Sequence, residues 1–232
     1  TRVILPNREH FDCTDLQGNK IKEDLSQRDF TINAMGQELS NFLRENKEII
    51  DPLEGQKDIE KKTIRTTSSY SLKSDPLRML RAFRFAATLK FTIDEKTLKE
   101  ISINKEDIAV IAKERVWQEF FNFFSASNTG ELIRAMKETG LLYCLLPSPF
   151  PDWEKMSIHY NRLEHILLNM DSYFPRRNLN LPEKALIKFA LLLKEMDSNP
   201  LENANNKNLG LPNTYEFLRS LKVSNNYITF IC

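Results

Sequence analysis

The chain has 232 residues, 41% apolar and 28% charged, a balance that predicts a soluble globular protein with a sizeable core and excludes a disordered or membrane-embedded one. Its 33 Lys and Arg stand against 32 Asp and Glu, a net charge of +1, which excludes a globally basic nucleic-acid coat but leaves room for a local basic face. Cys13, Cys144 and Cys232 lie far apart without CxxC spacing, and glycines number only six. A disulfide framework, a zinc knuckle and phosphate-cradling glycine loops are therefore disfavoured, and a reducing, cytoplasmic setting fits.

Strand signals are confined to the first fifty residues. Val3–Leu5 and Phe11–Thr14 are short β-like runs divided by the turn pair Pro6-Asn7. Thr1–Pro6 reads as a strand entered midway, and Tyr227–Cys232 as a pattern cut short, so the expectation is a fragment trimmed at both ends. Asp29–Met35 fits either strand or helix, because Phe30, Ile32 and Ala34 alternate over too short a run to decide.

After Asp51-Pro52 helical spacing dominates. Leu77, Leu80, Phe83 and Ala87 recur at three and four, as do Val116, Phe120, Phe121 and Phe124, and then Leu163, Ile166, Leu167 and Met170. Breaks are expected at Asp51-Pro52, Ser74–Pro76, Asn128–Gly130 and Leu146–Pro151, the last being the best domain boundary because its prolines cannot continue a helix. No apolar run approaches the roughly 18 residues that a membrane span needs.

Ser74–Ala87 is the most informative stretch. Asp75 before Pro76 suits the entry to a helix. At about 100° per residue, Leu77, Leu80, Phe83 and Ala87 form one face, while Asp75, Arg78 and Arg81 project from the other with Arg84 at its edge. A carboxylate three residues before a guanidinium matches the Watson–Crick edge of cytosine or adenine: each offers an exocyclic amine to Asp75 and a ring-nitrogen acceptor to Arg78. Uracil and guanine present the reverse pattern and leave both side chains unpaired. Arg81 and Arg84 lie further along, in a position suited to phosphates. An ordinary exposed i,i+3 ion pair with two solvated arginines explains the same spacing.

Three segments in order extend the pattern: Gln27-Arg-Asp-Phe-Thr-Ile-Asn-Ala-Met35, Asp51-Pro-Leu-Glu-Gly-Gln56 and Asp75-Pro-Leu-Arg-Met-Leu-Arg-Ala-Phe-Arg-Phe85. Together they resemble the class II tRNA nucleotidyltransferase and bacterial poly(A) polymerase family, which includes the CCA-adding enzymes, over roughly residues 1–147. The resemblance implies transfer of a nucleoside monophosphate from CTP or ATP to a tRNA or other RNA 3′ end, with two Mg2+ ions and no nucleic-acid template. It assigns Arg28 to the triphosphate, Asp29 to the ribose, Asp75 and Arg78 to the base, and Arg81 and Arg84 to nucleotide contact. Asn33 stands open between a structural and a functional role. Gln27 replaces the first arginine of the family's Arg-Arg-Asp, and Ser74 replaces the glutamate of its Glu-Asp-x-x-Arg, removing a supporting charge beside the Asp75 and Arg78 pair. Lys113–Glu119 resembles a motif on a helix behind the selecting helix, and Arg115 and Glu119, four apart, are expected to brace each other.

The family's metal-binding Asp-x-Asp strand has no counterpart near Thr1, so metal-dependent chemistry is not assigned to this chain. Asp12 is the one candidate, as a third carboxylate, with an exposed strand aspartate as the alternative. The short Leu16–Ser26 connection, without the flexible loop of CCA-adding members, keeps a partial CC- or A-adding enzyme open.

The fold class expected is α+β: a remnant of a nucleotidyltransferase head sheet (1–55, N-terminally incomplete), a mostly α-helical neck carrying the selecting helix (56–148), and a helical body (149–232) that resembles a degenerate HD domain and holds RNA. His165 falls at the first HD ligand position, but Lys194-Glu195 stand where the His-Asp dyad belongs, and an ammonium has no lone pair for a metal. His159 and His165 are expected on the helix surface. Arg176, Arg177, Lys184, Lys188 and Lys194, with Lys20, Lys22, Lys61 and Lys62 near the head, supply positive charge suited to an RNA backbone. The aromatic stripe Trp117, Phe120, Phe121, Phe123 and Phe124 is expected in the core. Two further readings remain: poly(A) polymerase, since the base-reading pair admits both C and A, and a catalytically silent RNA- or nucleotide-binding module.

Overall fold

The computed structural model describes residues 1–7, 9–44, 48–146, 153–174, 179–193 and 212–232. Strands β1 (Arg2–Ile4) and β2 (His10–Asp12) pair antiparallel, with Arg2 opposite Asp12 and Ile4 opposite His10. The turn between them falls at Pro6-Asn7, as expected, and the Asn7 side chain accepts from the Glu9 N–H at 3.1 Å. Every residue of β1 is exposed. After α1 (Ile21–Ser26), the undecided segment at Asp29–Met35 is neither strand nor α-helix. Phe30 makes a single bridge to Thr66, and Thr31–Asn33 form a 3₁₀ turn whose Asn33 side chain accepts from the Phe30 N–H at 3.3 Å. That side-chain bond closes the turn after one residue triplet, which a three-residue alternation cannot reveal.

Helix α2 spans Leu39–Leu43 and α3 spans Gly55–Glu60. Asp51 begins α3: its carboxylate accepts from the Gly55 N–H at 2.7 Å and the Gln56 N–H at 2.9 Å; burial raises its pKa, but these bonds together outweigh it and hold it below the ordinary value. Gly55 is required by close approach, since a Cβ there would lie 2.2 Å from the Thr31 carbonyl oxygen. A short parallel pair, β3 (Thr63–Ile64) with β4 (Thr92–Ile93), flanks α4 (Ser71–Ser74) and α5 (Leu77–Leu89).

The remainder is helical: α6 (Glu95–Asn104), α7 (Lys113–Ser125), α8 (Gly130–Glu138), α9 (Leu141–Leu145), α10 (Trp153–Leu168), α11 (Met170–Tyr173), α12 (Leu181–Leu193), α13 (Pro212–Ser220) and α14 (Asn225–Ile231). The α+β class expected from sequence is thus observed. Leu77, Leu80, Phe83 and Ala87 are buried as their spacing requires, and Met79, Ala82 and Ala86 widen the buried arc because α5 packs against several elements. The aromatic stripe is core: Phe120, Phe123 and Phe124 are fully buried, Phe189 from α12 lies 5.2–5.6 Å from Trp117, Phe120 and Phe124, and Phe121 stacks on Tyr227 at 5.6 Å. One buried cluster runs from Phe30 to Ile231.

Lys188 corrects an expectation. It lies buried on α12, not on a basic surface, and donates to Glu164 of α10 at 3.1 Å and to the Ala126 carbonyl at 2.5 Å. Glu164 also accepts from the Thr129 N–H (2.8 Å), the Thr129 hydroxyl (2.5 Å) and the Gly130 N–H (3.2 Å), placing a carboxylate at the positive end of α8. Burial lowers the Lys188 pKa and Glu164 opposes the fall, while burial and then Glu164 push the Tyr160 hydroxyl well up. Charge at position 188 is explained by this junction of three helices. Lys20, Lys22, Lys61 and Lys62 are exposed, and Lys184 is half-buried. Arg176, Arg177, Lys194 and Glu195, with most of the Leu146–Pro151 break, lie outside the described residues. His159 and His165 are exposed on α10, with His165 edge-on to Tyr173.

Removing one member of a buried ion pair strands the other. Lys188→Met is expected to lower unfolding free energy by about 3 kcal/mol in urea denaturation, and adding Glu164→Gln should return part of that loss.

Candidate functional site

The first turns of α5 meet the Gln27–Asp29 loop, and α7 lies alongside, so that six of the sequence-predicted site residues converge on one polar seam. Pro76 and the Asp75 carboxylate set the start of α5: Asp75 Oδ1 accepts from the Leu77 N–H at 3.2 Å. Its other oxygen accepts from Arg115 Nη2 at 2.9 Å. Arg78 does not form the i,i+3 ion pair with Asp75. Its Nη2 donates to the Gln27 carbonyl at 2.8 Å, and its Nη1 donates to the Ser71 hydroxyl (3.0 Å), the Ser74 hydroxyl (3.2 Å) and the Arg28 carbonyl (3.4 Å). Helix α5 and the Gln27–Asp29 loop are therefore joined through one guanidinium. Ser74, the residue standing where the family has glutamate, is among its acceptors.

Asp29 is buried and fully engaged. One oxygen accepts from the Phe30 N–H at 3.1 Å and the Asn33 amide at 2.8 Å; the other takes Arg81 at 2.7–2.9 Å. Asn33 thus has a structural role as the ligand of Asp29. Arg81 continues to Glu119 of α7 at 3.2 Å, and Arg84 reaches the second Glu119 oxygen at 2.6 Å. The expected Arg115–Glu119 brace within α7 is corrected by this arrangement. Both Glu119 oxygens face α5, and Arg115, one turn earlier, reaches Asp75 instead, so each pairs across helices. Burial lowers the Arg81 pKa, but Asp29 and Glu119 outweigh it and hold it above its ordinary value. Arg84 also lies 3.8 Å over the Phe85 ring.

Arg28 extends from the loop with its side chain half exposed, and its Nε and Nη2 donate to Asp24 at 3.1 and 2.7 Å. Asp24 is buried, and the Gln17 N–H and then Arg28 hold its pKa below the ordinary range. Sequence reasoning missed Asp24 and Ser71 as parts of this seam, and placed Glu119 behind α5 with the wrong partner. Asp24 carries a readable signal, four residues before Arg28 across α1; the partners of Glu119 carry none, lying 38 and 35 residues away, and the Ser71 hydroxyl joins the Asp29 carbonyl 42 residues away to Arg78 seven residues on.

Asp12 stands apart. Its side chain is about half exposed, and both oxygens accept from Arg2 at 2.7–2.8 Å on the opposite strand. Among the described residues no three His, Cys, Asp or Glu side chains converge to hold a metal ion. The donor set that two Mg2+ ions need is not assembled by these residues, and no metal-dependent step is assigned to them.

Two family models match the chain: the poly A polymerase head domain over residues 5–65 and the probable RNA and SrmB-binding site of polymerase A over residues 90–151. Among curated relatives, the CC-adding tRNA nucleotidyltransferase of Shouchella clausii is 34% identical over 145 residues, 62% of this chain and 37% of that protein. The multifunctional CCA protein of Neisseria meningitidis serogroup A is 41% identical over 130 residues, 55% of this chain and 29% of that one. That of Legionella pneumophila strain Lens is 30% identical over 213 residues, 87% of this chain and 49% of that one. The chain thus spans about half or less of the length of these relatives. Its fold is that of the Thermotoga maritima CCA-adding enzyme complexed with tRNA (TM-score 0.73, 22% identity, 99% of this chain, 51% of that one). It is also that of a tRNA nucleotidyltransferase complexed with a primer tRNA and an incoming ATP analog (TM-score 0.76, 21% identity, 99% and 64%).

Two outcomes test the seam. Glu119→Gln removes the charge that both arginines share and is expected to cost about 2 kcal/mol in urea denaturation. Asp24, with its pKa depressed in the folded state, contributes stability above its unfolded pKa that is lost as pH falls through the folded one. Asp24→Asn should therefore flatten the acid limb of stability measured from about pH 5 downward through the carboxylate range.

Proposed function

The chain belongs to the class II tRNA nucleotidyltransferase and bacterial poly(A) polymerase family, and from that premise we propose that it supplies the nucleotide-selecting and RNA-holding part of a tRNA 3′-terminal nucleotidyltransferase. The reaction adds C, A or both from CTP and ATP without a nucleic-acid template, and a cytoplasmic site of action goes with this reading. One observation carries it: Arg78 of α5 is bonded to the carbonyls of Gln27 and Arg28. The base-reading and triphosphate-binding motifs, some fifty residues apart in sequence, are thereby one unit.

In this reading the free lone pair of Asp75 accepts the exocyclic N–H of cytosine or adenine, and Arg78 donates one of its remaining N–H groups to the ring nitrogen. Uracil and guanine turn a donor toward Arg78 and an acceptor toward Asp75. The half-exposed Arg28 meets the triphosphate, while Asp29, already holding Arg81, supports the loop beneath the ribose. Arg81 and Arg84 keep α5 against α7 through Glu119 and turn their unused donors to the nucleotide. The relatives CC-adding tRNA nucleotidyltransferase and multifunctional CCA protein favour tRNA as the acceptor. The exposed Lys20, Lys22, Lys61 and Lys62 offer contacts to its phosphates. The described helices include none long and apolar enough to cross a membrane.

Binding of each nucleoside triphosphate to this chain, followed by calorimetry, tests the proposal. CTP and ATP should bind more tightly than UTP and GTP. Asp75→Ala and Arg78→Ala should each weaken CTP and ATP by about 10- to 100-fold, the worth of a hydrogen bond to a charged group, with UTP and GTP little affected and the loss larger than any fall in stability accounts for. Equal binding of all four bases, or loss of binding only in step with stability, overturns it. Incorporation by the intact natural polypeptide on tRNAs ending before CCA and after CC then separates the readings. ATP addition to any RNA end favours poly(A) polymerase, and silence with retained binding favours a silent module.

A further inference from the structure

We propose that Arg115 is a positioning residue for base selection, fixing the carboxylate of Asp75 that reads the base; the inference rests on the nucleotide-selecting role of Asp75 given above. Asp75 sits between α4 and α5 with an extended backbone, outside both helices, and nothing in regular secondary structure orients its side chain. Two donors do. The Leu77 N–H holds Oδ1 at 3.2 Å from α5, and Arg115 Nη2 holds Oδ2 at 2.9 Å from the first turn of α7. A carboxylate anchored at one oxygen rotates about its χ angles; anchored at both, its plane is set. Each oxygen keeps a second lone pair. The plane chosen by Arg115 therefore decides where the acceptor for an incoming amine points.

Arg115 is dedicated to this contact. Asp75 is its one side-chain partner among the described residues, and Glu119, its helical neighbour four residues on, is occupied at both oxygens by Arg81 and Arg84. Its side chain is 53% exposed, so it contributes little to the core. A planar fork of donors suits orienting a carboxylate better than a single ammonium does. Selection depends on donor and acceptor standing in register, and a swivelling acceptor costs the matching bases their bond while leaving the mismatched bases as they were.

The test measures affinity for CTP, ATP, UTP and GTP in this chain for Arg115→Ala, Arg115→Lys and, as a control at a neighbouring exposed site, Lys113→Ala, with melting temperatures alongside. In Arg115→Ala, CTP and ATP should weaken by about fivefold, as suits a half-exposed pair, with UTP and GTP unchanged, so that the CTP-to-UTP preference narrows by the same factor. Arg115→Lys should recover part of the preference, and Lys113→Ala should leave it intact. An unchanged preference in Arg115→Ala, when Asp75→Ala abolishes it, overturns the role of Arg115 and leaves the function standing. A preference that survives Asp75→Ala overturns both. Weakening of all four nucleotides together with a fall in melting temperature assigns Arg115 a structural role and overturns the proposal.

Discussion

The carboxylate of Glu119 is the constraint on which the polar face of α5 depends. Arg81 and Arg84 stand one helical turn apart, close enough to repel, on a helix whose opposite side is fully committed to the core. One buried carboxylate facing both of them from α7, joined by Asp29 from the loop, converts that repulsion into a ladder running loop, helix, helix. Isolated surface pairs contribute little, but a network whose acids are themselves buried is costly to break at any single point. It holds α5, α7 and the Gln27–Asp29 loop in one arrangement.

With the ladder in place, the polar groups left over are those that face outward: half-exposed Arg28, and Asp75 and Arg78 at the start of α5. Each is already held by protein partners chosen so that donors or lone pairs remain. Arg78 spends its two terminal nitrogens on carbonyls and hydroxyls, and Asp75 spends one lone pair on a backbone N–H and one on Arg115. The orientation of these groups is already set, so little ordering would remain to be done on binding the nucleotide proposed above.

The second buried ion pair, Glu164 with Lys188, does for the helical body what Glu119 does for the site. It gathers α8, α10 and α12 where the Ala126–Gly130 connection turns, and satisfies the N-terminal N–H groups of α8. Both devices use an acid on one helix to satisfy several groups at once: Glu119 of α7 takes two arginines of α5, and Glu164 of α10 takes Lys188 of α12 and the entry to α8. In both, the side chains lie far apart in sequence, which makes the packing of the helices and the pairing of the charges mutually dependent.

Local sequence determined the elements that rest on periodicity and on residue chemistry close at hand. The apolar spacing of α5 and α7 requires their buried faces, Asp51-Pro52 marks a break, Asp75 marks a helix entry, and the Pro6-Asn7 pair marks the turn of the hairpin. The ordered motifs around Arg28, Asp75 and Arg78 were legible as a family resemblance, and the structure brings those three residues to one seam. What tertiary structure alone decided is which charge meets which. Arg115 and Glu119 share one helix face at the spacing of an ion pair, yet both turn to α5, because a carboxylate between two guanidinium groups and a guanidinium beside a helix-entry aspartate satisfy more groups than one internal pair. Lys188 read as surface charge for the same reason: its partner Glu164 is 24 residues away, and only the packing of α10 against α12 brings them together.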